Sequence, residues 1–303
     1  MRFFRRILAV AGAVSVLAAG GCAQSEDTTQ AGALDAIGVV TIDQALHDQL
    51  PQSVQARGSI RFVTDASYAP MEYFAADGRT IIGFEPDLAA ALGEVLGVRT
   101  EMVVGAFNTA LDEVNAGTYD GVLSSMTDTV ERQKDGDFVN YLSTGTSIVV
   151  QRGNPLGIAD LSDLCGRIVA TEHGTFQEEM LQGLQDDCGK RPITINSRRT
   201  NADAQVLLRT GRAAAVLIDF PPAAYLVNDS RTSAFYQLAS DQQYEPGLFG
   251  IAVAKDNPAL RDCLRAALER LIESGTYAEL LARWGLSSSA VSEATVNGKS
   301  TTV

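Results

Sequence analysis

The sequence is poor in the residues that most enzymes use for acid–base and metal chemistry. Its two histidines, His47 and His173, stand far apart. The α/β-hydrolase elbow, the zincin pair, the Walker loop and the dinucleotide-binding glycine string are all absent. An enzyme built from Asp, Glu and Arg alone is not touched by those absences. The 4 cysteines are scattered, without metal-ligand spacing, so neither a metal nor a cofactor is expected. Positive charge is short as well: Lys+Arg 24 against Asp+Glu 37 gives a net charge of -13, with no basic stripe. A nucleic-acid binder needs clustered cations that displace counterions, so that class is set aside, as is broad adhesion to an anionic bilayer. No internal repeat occurs, and the one markedly apolar run is too short to span a bilayer comfortably.

That run opens what the chain does contain. Arg2, Arg5 and Arg6 precede the apolar stretch Ile7–Ala19, and Gly20-Gly21-Cys22 follows where a signal peptide would be cut. The arrangement resembles a bacterial lipoprotein signal, which implies a peptide 1–21 and a lipid on Cys22 as the sole membrane attachment. Ala19 stands where that pattern prefers Leu, and a plain secretory signal with an incidental Cys22 is the alternative. Residues 22–56 read as a polar tether, within which AIGVVTIDQAL has the makings of a local element. Residues 287–303, rich in Ser, Thr and Ala, read as a loose tail.

Setting Cys22 aside leaves Cys165, Cys188 and Cys263. Leu260, Cys263, Leu264, Ala267, Leu268 and Leu271 recur at helical spacing, which places the Cys263 thiol on a buried stripe. Cys165 and Cys188 are then the natural disulfide pair in an oxidising compartment, with two separate buried thiols as the alternative. A bridge over a loop of that length contributes on the order of 3–4 kcal/mol in the chain-entropy model.

Between the tether and the tail, β-branched runs alternate with amphipathic helical patterns. SIRFVTD, TEMVVG, YDGVLSS, RIVAT, PITINS, AAAVLID and GLFGIAVAK read as strands. FEPDLAAALGEVL, NTALDEVNAG, FQEEMLQGLQ and NADAQVLLRTG read as helices. This alternation predicts an α/β fold with a mostly parallel sheet covered on both faces, whose ligand site lies beyond the carboxyl ends of the strands. Polar groups gather at those ends. Asp65 and Tyr68 follow FVT; Ser124, Ser125 and Thr127, then Arg132, follow GVL; Glu172, His173, Gly174, Thr175 and Phe176 follow IVAT; Asp219 follows AAVLI. Singly, each is an ordinary cap, turn or surface residue.

Together the strings DASYAPMEY, GRTIIGFEPDLAAALGEVLGV, YDGVLSSMTDTVERQK, GRIVATEHGTFQEE, LLRTGRAAAVLID and GTYAELLARWG resemble the polar amino-acid family of bacterial periplasmic-type binding proteins, solute-binding family 3. The resemblance runs in order over residues 57–286. It implies a periplasmic-binding-protein-like bilobed fold (type II), two α/β lobes joined by two crossing strands. Lobe 1 would hold 57–147 and 246–286, and lobe 2 would hold 148–245. It further implies that Arg132 clamps the ligand's α-carboxylate, with the Ser125 amide and the Thr127 hydroxyl completing that site and Ser124 beside them. Gly174, Thr175 and Phe176 would present helix-start amides to the same carboxylate, and Asp219 would accept from the α-ammonium. Tyr68 and Phe107 match the aromatic positions that sandwich the side chain, and Asp65 the position that reads its far end. A carboxylate there implies glutamine or a basic amino acid as ligand. The chain departs from the family pattern at Ala214, which replaces an acidic residue, at Asn140-Tyr141, and at Ser124, which replaces a common glycine.

The function these residues imply is capture of a polar amino acid outside the membrane and its delivery, unchanged, to an ABC transporter permease by a monomeric, lipid-anchored protein. Two other readings share the fold. One is a ligand sensor for a membrane partner. The other is a cyclohexadienyl dehydratase-like enzyme, whose dicarboxylate substrate is disfavoured by Asp65.

Overall fold

The computed structural model describes residues 40–298. The predicted signal peptide, Cys22 and the first part of the tether lie outside the described residues. The chain begins with two short helices, α1 (Gln44–Gln49) and α2 (Gln52–Arg57). Strand β1 (Ser59–Thr64) leads to a three-stranded ribbon of β2 (Ser67–Tyr68), β3 (Glu72–Phe74) and β4 (Ile81–Ile82). Helix α3 (Phe84–Leu96), β5 (Arg99–Val104), α4 (Ala110–Asn115) and the two-residue β6 (Gly121–Val122) follow. Strand β7 (Gly136–Gln151) then runs 16 residues without interruption.

The second half comprises β8 (Ile168–Glu172), α5 (Phe176–Gly183), β9 (Thr194–Arg198), α6 (Asn201–Arg209), β10 (Ala215–Asp219), α7 (Phe220–Asn228) and β11 (Tyr236–Leu238). Strand β12 (Tyr244–Ala254) returns to the first half, where α8 (Pro258–Ser274), α9 (Thr276–Arg283) and β13 (Thr295–Val296) complete it.

The main sheet has the order β5-β1-β6-β12-β7-β10-β8-β9. Pairing is parallel within each half, β1 with β5 and β6, and β8 with β9 and β10. The two long strands β7 and β12 pair antiparallel, Ala254 opposite Gly136 and Tyr244 opposite Thr146. Beyond Thr146, β7 pairs instead with β10. These are the two crossing strands of a two-lobed α/β fold. Separate cores flank the crossing: Phe62, Leu88, Leu142, Phe249 and Leu264 share one, while Ile148, Val169, Leu181 and Leu217 share another.

Local chemistry explains the elements that aim the site. Helix α3 carries Glu85 and Asp87 in its first turn, at the positive end of its dipole. It starts at Gly83, where an added Cβ would lie 2.1 Å from the Met71 carbonyl oxygen, so only glycine fits. Helix α5 is capped by Thr175, whose hydroxyl accepts from the Glu178 N–H. Helix α8 buries the stripe read from the sequence: Leu260, Cys263, Leu264, Ala267, Leu268 and Leu271. A disulfide joins Cys165 to Cys188.

Two expectations are corrected. Part of the predicted tether is folded: α1 and α2 close on lobe 1, where Leu50 and Val54 are buried in its core. The predicted loose tail also contributes structure, since β13 pairs with β7 and Ala294 is buried. Both segments are polar in composition, and a few apolar side chains suffice to dock them. YDGVLSS, read as a strand, keeps ladder pairing only at Gly121 and Val122, because Ser124 and Ser125 turn toward the cleft.

Candidate functional site

The carboxyl ends of β1, β6, β8 and β10 converge on one pocket between the lobes. Asp65, Tyr68, Phe107, Ser124, Ser125, Thr127, Thr175, Phe176 and Asp219 all line it. Arg132 and Gly174 stand at its edge, tied to one another: Arg132 Nη2 donates to the Gly174 carbonyl at 2.9 Å, and Nη1 to the Thr127 carbonyl at 2.8 Å. The guanidinium lies 5.5 Å from the Phe107 ring centroid, in cation–π contact. Nine of the eleven residues expected from the sequence thus line this pocket, and Arg132 and Gly174 lie beside it.

Asp219 closes β10 and faces Tyr68 across the cleft. The Tyr68 hydroxyl donates to Asp219 Oδ2 at 2.6 Å, and the Asp219 N–H donates back to that hydroxyl at 3.0 Å. Gln177 Nε2 donates to Asp219 Oδ1 at 2.9 Å. Burial pushes the Asp219 carboxyl up to about 7, against the pull of these hydrogen bonds and of Arg132. Burial, reinforced by the Asp219 charge, holds the Tyr68 phenol well above its ordinary value. Burial lowers Arg132 from its ordinary value, an effect opposed by the charges of Glu179, Asp219 and Asp128.

Two expected carboxylate donors are otherwise engaged in this arrangement. The Ser125 N–H and hydroxyl both donate to Glu85 Oε1, at 2.8 and 2.7 Å, and Ser125 holds a left-handed backbone (φ 50). The Gly174 N–H donates to Glu178 Oε2 at 2.7 Å. Gly174 (φ +77) is also packed so closely that an added Cβ would lie 2.8 Å from the Asn108 Cβ of the opposite lobe. Its part is therefore close approach and a carbonyl for Arg132, while Thr175, Phe176 and Gln177 bring the start of α5 to the pocket wall. The Ser124 hydroxyl accepts from the Asp65 N–H at 2.9 Å and donates to Glu72 at 3.2 Å, which fixes the floor where a glycine would leave space.

Three pocket residues escaped the sequence-based set. Gln177 lies inside the string GRIVATEHGTFQEE, one position beyond the residues given a ligand role. Glu72 sits in the ribbon, buried beside Glu85; burial, with the Glu85 charge next, holds it well above the ordinary carboxyl range. Glu172 was visible at the end of IVAT, but strand alternation there does not say which face it takes. Burial, with Asp65 next, also raises it well above its ordinary value. Asp65 is raised by burial too, partly offset by Ser67. Four carboxyl groups, Asp65, Glu72, Glu172 and Asp219, thus share one pocket with Arg132 at its rim. Among the described residues no group of three or more His, Cys, Asp and Glu is placed to hold a metal, and no helix is long and apolar enough to cross a membrane.

The family described as bacterial extracellular solute-binding proteins, family 3, matches residues 60–287. Arginine-binding protein ArgT of Corynebacterium glutamicum is 31% identical over 254 residues, covering 82% of this chain and 81% of that protein. A solved ancestral arginine-binding protein bound to arginine superposes with a TM-score of 0.70 at 30% identity, covering 75% of this chain and 98% of that one. The ancestral amino acid-binding protein AncCDT-1, described as a precursor of cyclohexadienyl dehydratase, gives 0.69 at 30% identity, covering 77% and 97%.

Proposed function

The chain belongs to the bacterial extracellular solute-binding proteins of family 3, and on that premise we propose that it captures a basic amino acid, arginine in the first place, for an ABC transporter. The observation that carries this reading is the charge of the pocket: four buried carboxyl groups line it, with Arg132 at the rim and Arg199 acting on Asp65. Buried charges of one sign are costly unless a partner neutralises them, and an amino acid with a cationic side chain brings two positive groups and one negative. Arg132 would take the α-carboxylate on release from its carbonyl partners, Asp219 the α-ammonium, and Asp65 the far end. Tyr68 and Phe107 would cover the aliphatic stem.

The name of the arginine-binding relative supports this choice, and its description as a binding protein makes the dehydratase alternative the less supported one. The two lobes touch different ends of the ligand, so occupancy favours the closed pair, the form a permease would read. The protein acts outside the cytoplasm. We assign its retention there to a lipid on Cys22, and Cys22→Ser should move it from the membrane pellet to the soluble fraction.

A thermal-shift screen of the purified protein against the common amino acids tests the ligand class. At a hundred times its dissociation constant a ligand adds about 2.7 kcal/mol of stability. Arginine and lysine should raise the melting temperature by several degrees, and Arg132→Ala or Asp219→Ala should abolish the shift. A rise with glutamate and none with arginine would sink the cationic reading.

A further inference from the structure

Glu172 ends β8 on the pocket wall, 6% exposed, and its Oε1 has no hydrogen-bond partner among the described residues. The other pocket carboxyls have side-chain donors: Asp219 has Tyr68 and Gln177, Asp65 has the Ser67 hydroxyl, and Glu72 has Ser124 on Oε1, its Oε2 lying without a partner beside Glu85. The charged groups that act on Glu172 from the elements packed around it are all acidic: Asp65 beyond β1, Asp203 on α6 and Asp219 on β10. The one donor directed at it is the Asn201 N–H at the start of α6. A carboxyl kept only for packing would be cheaper as Gln or Leu, since an uncompensated buried acid is among the costliest groups a fold can hold.

We propose that Glu172 is a specificity-determining residue, whose carboxylate accepts from the cationic head of the ligand's side chain beside Asp65 and makes the cleft demand a positive charge there. This rests on the basic amino-acid reading and goes further than it. Asp65 alone satisfies an amide, an ammonium or a guanidinium. Two carboxyls with one unfilled acceptor call for a donor that is charged and has several N–H groups, which a guanidinium is. Burial disfavours the charged form of Glu172, and a cation seated beside it would oppose that effect.

The test is calorimetry of the purified protein and of Glu172→Gln with arginine and with citrulline, its neutral isostere. The native protein should prefer arginine over citrulline by at least about a hundredfold. Glu172→Gln should weaken arginine by about ten- to hundredfold, the worth of a charge-assisted hydrogen bond. It should leave citrulline within a few-fold. Equal losses for both ligands, or no loss for either, in a folded variant would overturn the inference. If Glu172→Gln does not fold, Glu172→Asp serves instead, retaining the charge one carbon short, and it should weaken arginine selectively. Native protein that binds arginine no better than citrulline overturns this inference alone. Native protein that binds no basic amino acid brings down the parent reading, and that result is seen before any variant is made.

Discussion

At the scale of single residues, Asp219 makes the sharpest statement because its proton couples folding to binding. Burial holds its carboxyl near 7 instead of the ordinary 3.8. A raised acid stabilises the ligand-free fold while protonated. That contribution is whole below the unfolded value near 4 and is lost as pH rises through about 7. Binding has the opposite sign. If Asp219 takes the α-ammonium as proposed, the ionised carboxylate is the binding form, so affinity should climb with pH until about 7, then level. Acidifying from pH 8 to pH 5 should therefore weaken arginine binding, by up to about tenfold per unit below 7. Calorimetry across that range checks it, and affinity that is flat with pH in the native protein would contradict the assignment. Asp219→Asn should flatten the profile around pH 7.

Asp65, Asp219 and Arg132 were legible in sequence because strand-end acids and a distinctive string around the arginine fix their places in the chain. Glu72, Glu172 and Gln177 were not, since their aim depends on how the ribbon and the start of α5 pack across the cleft. The engagement of the Ser125 and Gly174 amides by Glu85 and Glu178 was equally hidden. Glu85 lies 40 residues from Ser125, and Glu178, though only four residues past Gly174, reaches back to it across the start of α5.

At the scale of elements, the alternating strands and helices of both lobes were plain in the sequence because their apolar periods are strong. The strand SIRFVT and the α8 stripe are the clearest cases. The polar segments were harder, because α1 and α2 offer few apolar residues to any periodicity. Leu50 is nonetheless 3% exposed and Val54 fully buried, and the α1 cap at Asp43 accepts from Ala45 and Leu46 N–H groups. If this segment is part of lobe 1, Leu50→Ala should cost about 2–3 kcal/mol in a melting experiment, the usual range for a buried leucine. An unchanged melting temperature would return the segment to a tether.

At the scale of the whole molecule, the lobes meet through few but specific contacts. Tyr68 reaches Asp219, Arg132 reaches the Gly174 carbonyl, and Tyr73 lies 6.1 Å from Tyr225 between ring centroids. Two crossing strands join the halves, so closure is a motion of two packed bodies about β7 and β12, not a remodelling of either core. On the proposed reading, a ligand that bridges Arg132 and Asp219 would add contacts only when the lobes are together, and the charge of the pocket would select which ligand does so. The most direct test is a calorimetric titration of ligand-stripped protein at pH 8 with arginine, glutamine and glutamate. The account predicts saturable one-to-one binding that is tightest for arginine, weaker for glutamine and absent for glutamate. Tight binding of glutamate without binding of arginine would contradict it.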